Sequence, residues 1–496
     1  MIQPFEPSAK LTRQMGLVGL AATGICSMIG ASIYVVPFMI QRNIPGIGPY
    51  VLPAFLFAAI PATLAAFAYI ILASAMPRAG GSYIYASRAL HPYLGFIASF
   101  SQWFGLSIAI GVVSYVIVPF LRDVATTVQW NDLAAWFNEG FVRVSLSLLF
   151  LWTFVIINIR GVKLYERTVV PLMFLMFCLG AIVIVAGLIF NQQDFAEAVL
   201  IRDGKTIPEI AAVFNWRTFL SGSALLFSSF IGFDSIAQAG GEAKDPTRSL
   251  PRAIGIAILV VSTFYILFTL AVYHTVPWSF VAQEALLKDV TAPGLLSYVL
   301  PSGWAVPIVL GAAIALMNDL PAMILSVSRL MFSWAEDGIF PKQISKIHTT
   351  LHTPHIAILL SGAMASIGIL GSHFAGDFFL GIDIMVTSML VNFLLMCISV
   401  FLLPKTNPAL AKEIKVFKSN GLQKIVSIAG TLWLTAFLII HIGKDLSAPA
   451  EAWYFHSTPV WLLVMTIASV LFCFYWLRLK KSGVDTKKIF STLPLE

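Results

Sequence analysis

Twelve long apolar runs dominate this chain and restrict what it can fold into. They cover residues 16–40, 48–76, 92–121, 142–159, 167–190, 216–241, 252–276, 303–331, 355–373, 376–403, 424–443 and 459–479. A helix needs ~20 mostly apolar residues to cross the hydrocarbon core of a bilayer. The runs are continuous rather than alternating with period two, so helices are expected and a β-barrel is not. The expected fold class is all-α and integral to a membrane, with about 12 transmembrane helices. Composition agrees: only 11% of the residues are charged and 58% are hydrophobic, where a soluble domain carries roughly 25% charge.

A formal net charge of +7 raises nucleic acid as a partner, but the placement of the charges argues for a lipid bilayer instead. With the N-terminus placed inside, 23 of the 31 Lys and Arg fall on the cytoplasmic side of the alternating loops, as the positive-inside rule requires. The imbalance predicts an even helix count, both termini in the cytoplasm and a multi-pass protein of the cell (inner) membrane. The run from Gly16 to Ile40, behind Lys10 and Arg13, is too long for a signal-peptide core and reads as a retained first helix. Cys26, Cys178, Cys397 and Cys473 all lie inside apolar runs, which predicts neither a disulfide framework nor a metal cluster. No cofactor is expected.

The first and sixth runs are unusual in the same way. One contains Gly24-Ile25-Cys26-Ser27-Met28-Ile29-Gly30-Ala31-Ser32, the other Ser228-Ser229-Phe230-Ile231-Gly232-Phe233-Asp234. Small and polar residues at mid-membrane depth can serve close helix packing. They can also mark breaks, where glycine lets backbone approach a ligand. Five spans separate the two breaks, so a second set of five helices runs opposite to the first. Paired breaks at equivalent positions of inverted repeats point to a transporter binding site at the membrane midplane. The expected organisation is a tail (1–15), a first repeat (16–190), a second repeat with its leading outer loop (191–403), two further helices (404–479) and a second tail (480–496). The longest polar loops are 191–215 and 404–423.

Five segments carry a family likeness: Ile29-Gly30-Ala31-Ser32-Ile33-Tyr34; Pro77-Arg78-Ala79-Gly80-Gly81-Ser82-Tyr83 with His91-Pro92-Tyr93-Leu94-Gly95-Phe96; Asn158-Ile159-Arg160-Gly161-Val162-Lys163; Phe230-Ile231-Gly232-Phe233-Asp234 with Gly241-Glu242-Ala243-Lys244-Asp245-Pro246; and Ser328-Arg329 with Ala335-Glu336-Asp337-Gly338. In this order they resemble the amino acid–polyamine–organocation (APC) superfamily. The resemblance implies the leucine-transporter fold and a secondary permease that moves an amino acid or related amine by alternating access. Free N–H groups at a half-helix start can hold a carboxylate. The substrate carboxylate is therefore expected near Gly30, Ala31 and Ser32. Its amino group is expected near Ser27 and the carbonyls of Phe230 and Ile231, with Gly232 in the second break and Phe230 as a lid. The chain departs from the family pattern at Cys26 and Ser32, where glycines are usual. Ser228 and Met323 stand where arginine/agmatine-type antiporters carry aromatic rings, so an aromatic sandwich around a guanidinium is not expected. Proton-coupled members can carry a lysine in the fifth helix; the matching position is Met176, which predicts sodium-independent exchange. A proton-coupled symporter is the alternative within the class.

Three acidic residues stand within the runs: Asp234, Asp319 and Asp383. Asp383 and the histidines 274, 355, 373 and 441 lie near run ends and are expected to be solvated. No Lys or Arg is expected deep in a span. Buried carboxylates in a membrane are costly and mark function by default. Asp234 and Asp319 are therefore proton-linked or substrate-binding candidates, Met323 lying one turn from Asp319. For Asp319 the partners to weigh are a proton, a cationic substrate group, or water together with Asn318. A channel, a membrane sensor or a membrane-embedded enzyme are the other classes. His-Glu-x-x-His and Gly-x-Ser-x-Gly are absent, and Gly204-Lys205-Thr206 lacks the leading glycine of a P-loop, Val199 standing there.

Overall fold

A computed structural model describes residues 10–30, 32–208, 210–375, 378–449 and 452–494. Among these, twelve helices are long and apolar enough to cross a membrane: Leu17–Asn43, Gly48–Ala75, Pro92–Thr127, Gly140–Ile159, Val162–Ile189, Trp216–Gln238, Pro246–Thr275, Val306–Glu336, His355–Phe374, Leu380–Thr406, Asn420–Ser447 and Ser457–Lys481. They are spans 1 to 12 below. Most overrun their apolar runs. Span 7 begins at Pro246 and so includes Arg248 and Arg252; span 5 begins at Val162 and includes Lys163, Glu166 and Arg167. An apolar run marks only the hydrocarbon layer, whereas the backbone keeps its helical hydrogen bonds into the headgroup region.

Burial sorts the spans. In the most apolar window of spans 1, 6 and 8, 94%, 89% and 83% of residues are buried, against 17% for span 12 and 28% for span 4. Spans 1, 6 and 8 are therefore the centre of the bundle. Span 3 packs along spans 8, 9 and 10, span 7 along spans 1 and 2, and span 11 along span 10. Exposed faces are themselves apolar, as at Leu259, Ile439, Ile467 and Val470. Such a surface suits hydrocarbon as its solvent.

The polar stretch 191–215 is not all loop. It carries the helix Gln192–Asp203, started by a capping box in which Asn191 and Asp194 exchange hydrogen bonds. Gly204, the apparent P-loop glycine, ends that helix in the left-handed region at φ +65°.

Two buried ion pairs tie several of the family-like segments together. Arg329 of span 8 donates from Nη2 to Glu242 Oε1 at 2.5 Å and from Nε to Oε2 at 3.2 Å, both side chains being 1% exposed. Arg88, in the short helix Gly81–Ala89, pairs with Asp337 through both terminal guanidinium nitrogens. Tyr83 donates to the same carboxylate at 2.7 Å. Arg329 lies in the last quarter of span 8 and is wholly buried. The short helix Thr486–Ser491 closes over Arg88, whose guanidinium donates to the carbonyls of Thr492 (3.2 Å) and Ile489 (3.4 Å) and lies 5.2 Å from the Phe490 ring.

Candidate functional site

Span 1 is broken where its small residues predict. The first half, Leu17–Met28, ends at Ile29 with φ −91° and ψ 79°, and the second half starts at Ser32. The break frees the Met28 carbonyl, which accepts the Tyr265 hydroxyl of span 7 at 2.5 Å. Span 6 is broken too. The helix Trp216–Leu226 tightens into a 3-10 turn at Phe227–Phe230, Ile231 is extended, and a helical turn resumes at Ser235–Gln238. Gly232, between them, has φ +133°.

The two breaks touch. A Cβ on Gly232 would lie 2.3 Å from the Ser27 carbonyl oxygen and 2.7 Å from the Met28 nitrogen. The hydroxyls of Ser27 and Ser235 are hydrogen-bonded at 3.0 Å. Phe230 is fully buried between Phe55 (ring centroids 5.6 Å apart) and Tyr265 (6.0 Å). Ile231 is buried beside it, its N–H bonded to the Ser228 carbonyl at 3.2 Å. Ala31 lies outside the described residues. The Ser32 backbone opens the second half-helix.

Asp319 faces the first break. A Cβ on Gly30 would stand 2.6 Å from Asp319 Oδ2 and 3.4 Å from its carboxyl carbon, so only glycine lets the carboxylate come this near. Asp319 is 6% exposed, and its Oδ1 has no hydrogen-bond partner among the described residues. Asn318 does not supply one. Its amide donates to Cys26 Sγ at 2.9 Å and to the Val169 carbonyl at 3.3 Å. Met323 lies one turn along and is 3% exposed. Pro321 does not break the helix, which runs from Ser302 to Glu336; Asn158 donates to the Pro321 carbonyl at 3.2 Å.

Asp234 joins the second break to span 3. Its Oδ1 accepts the Gly232 N–H at 3.2 Å and its Oδ2 accepts the Gln102 amide of span 3. The Gln102 oxygen in turn accepts from Gln238 (3.4 Å) and from Asn392 of span 10 (3.3 Å). Asn392 also donates to the Tyr69 hydroxyl at 2.7 Å, and Tyr69 and Gln238 meet at Ser82 Oγ. Six side chains from spans 2, 3, 6 and 10 and the Gly81–Ala89 helix thus form one buried network that carries a single acidic group. Of the six, sequence reasoning found only Asp234. The lone amides Gln102 and Asn392, each inside an apolar run, were the available signal. Asp383 is half-buried, 4.0 Å from Lys444, and His441, expected at a wet end, is 1% exposed with Nε2 3.2 Å from the Asp383 carbonyl oxygen.

The family model for amino acid permeases matches residues 15–477. The branched-chain amino acid permease BcaP of Bacillus subtilis (strain 168) is 26% identical over 455 residues, covering 87% of this chain and 89% of the relative. The methylthioribose transporter of the same organism is 24% identical over 453 residues, 88% and 93% of the two chains. Cationic amino acid transporter 4 of Mus musculus is 26% identical over 383 residues, 74% of this chain but 57% of its own length. With twelve apolar helices, two central ones broken, and a family match along nearly the whole length, this multi-pass membrane protein belongs to the amino acid permeases of the APC superfamily.

Proposed function

We propose that the chain is a secondary carrier that moves an amino acid or related amine by alternating access, as a sodium-independent exchanger. The contact between the two breaks carries this reading: unwound backbone from spans 1 and 6 meets at one point, beside Gly30, Ser27 and the buried carboxylate of Asp319. The ligand lies against Ser27, Gly30, Ala31, Ser32, Phe230, Ile231 and Met323. Gly232 provides the hinge contact, and Asp234 couples the break to spans 3 and 10 through Gln102. The breaks support two inverted repeats, residues 16–190 and 191–403, in the leucine-transporter arrangement. The similarity to relatives named for branched-chain and cationic amino acids supports the substrate class.

Span 5 supports exchange over proton coupling. Met176 is buried in the bundle and no charged residue follows Arg167 in that helix. In proteoliposomes loaded with unlabelled substrate, uptake of labelled substrate is expected to be saturable and equal with sodium or choline outside. Uptake abolished without sodium overturns the exchanger. Concentrative uptake driven by a pH gradient alone, with nothing to exchange inside, indicates the proton symporter. Conductance without saturation or counter-flow indicates a channel.

The charge asymmetry of the loops supports termini in the cytoplasm of a cell (inner) membrane protein. Phe5→Cys, in a background with Cys178 and Cys473 replaced by serine, is expected to resist a membrane-impermeant maleimide in intact cells and to react after lysis. Labelling of intact cells reverses the orientation.

A further inference from the structure

We infer that Asp319 supplies from the protein the carboxylate that an amino acid would bring to the span 1 break, so the ligand held there is an aliphatic amine without a carboxylate. This rests on the carrier reading above and narrows its substrate.

The start of the second half-helix, at Ser32, is where a ligand's carboxylate is expected to sit, because free N–H groups and the positive end of the helix dipole face the gap there. Asp319 comes close to that place. Its Oδ2 lies against Gly30, two residues before the half-helix begins, closer than any side chain at position 30 would allow. A second carboxylate a few ångströms away in a site shielded from water would be repelled, weakening binding by ~100-fold.

The other oxygen shows what the site lacks. Oδ1 is buried and without a hydrogen-bond partner among the described residues. Its two nearest candidates on span 8 are engaged elsewhere. Asn318 is bonded to Cys26 and Val169. Arg329, ten residues further along span 8, is held by Glu242. A buried carboxylate beside a broken helix, with one oxygen unpartnered, matches an ammonium group, which brings both charge and N–H donors. One turn on, the same helix face presents Met323, a flexible apolar side chain that suits the carbon body of the ligand.

The test uses pairs that differ only by a carboxylate: leucine and 3-methylbutylamine, lysine and 1,5-diaminopentane, arginine and agmatine. Affinities are measured on the purified full-length protein by thermal shift and isothermal titration. The amine of at least one pair is expected to bind ~10-fold or more tightly than its amino acid. Asp319→Asn is expected to lose that amine by ~100-fold and to reverse the preference within the pair. Wild-type preference for the amino acid in every pair overturns the inference and leaves the carrier standing. That comparison needs no variant, so a misfolded Asp319→Asn does not protect the idea. An Asp319→Asn protein that keeps the amine preference also overturns it. If a monodisperse wild-type protein binds no member of any pair, the amino acid or amine reading fails, and this inference with it.

Discussion

Gly232→Ala is expected to reduce transport by at least ~10-fold and to lower the unfolding midpoint by several degrees. Two costs coincide at this position. The backbone sits at φ +133°, which residues with a Cβ rarely adopt. The new methyl would also lie 2.3 Å from the Ser27 carbonyl oxygen, which belongs to backbone and cannot rotate aside. Together they cost about 2–4 kcal/mol, relieved only by driving the two breaks apart. Separation would also strain the Ser27–Ser235 hydrogen bond and the Asp234 contact to the Gly232 N–H. Gly46→Ala is the control: φ is +88°, but nothing lies within 4 Å of the new Cβ. It should lose about 1 kcal/mol and keep transport. Equal behaviour of the two variants in flux and thermal unfolding would show that the contact between breaks is unimportant.

The second large effect is expected at Arg329 and Glu242. Arg329→Met leaves a carboxylate buried without its partner, and Glu242→Leu leaves a buried guanidinium. Either should cost roughly 3–5 kcal/mol. The double variant Arg329→Met with Glu242→Leu removes both charges and should regain most of that loss. Arg329→Lys should not rescue, because one ammonium cannot reproduce the two-pronged contact at 2.5 and 3.2 Å. Thermal unfolding of the four proteins forms a double-mutant cycle. Additive losses, with no recovery in the double variant, would contradict a coupled buried pair.

The sequence made the spans and the two breaks legible because the bilayer imposes long apolar runs, so that glycine, serine and aspartate within them stand out. Asp319 was legible for the same reason. Its surroundings were not. Adjacency suggested Asn318 as its partner, but neighbours on a helix point about 100° apart, and Asn318 turns to Cys26 and Val169 instead. The network around Asp234 joins residues as far apart as Tyr69 and Asn392, 323 positions in sequence. Such a match depends on how each helix is rotated about its axis, which runs of apolar residues constrain weakly. The same limit hid the burial of Arg329, whose place near a helix end reads as wet although packing of span 8 against the end of span 6 leaves it 1% exposed.

The short helix over Arg88 has a consequence for biosynthesis. Ile489 and Thr492, whose carbonyls accept from that guanidinium, are translated 401 and 404 residues after it. Until they emerge, two of its hydrogen-bond acceptors are missing, and a donor left unsatisfied in a dry site is costly. This end of the bundle is thus finished only when the late segment docks. A nascent or prematurely terminated chain can hold every span in the membrane and still lack that last closure.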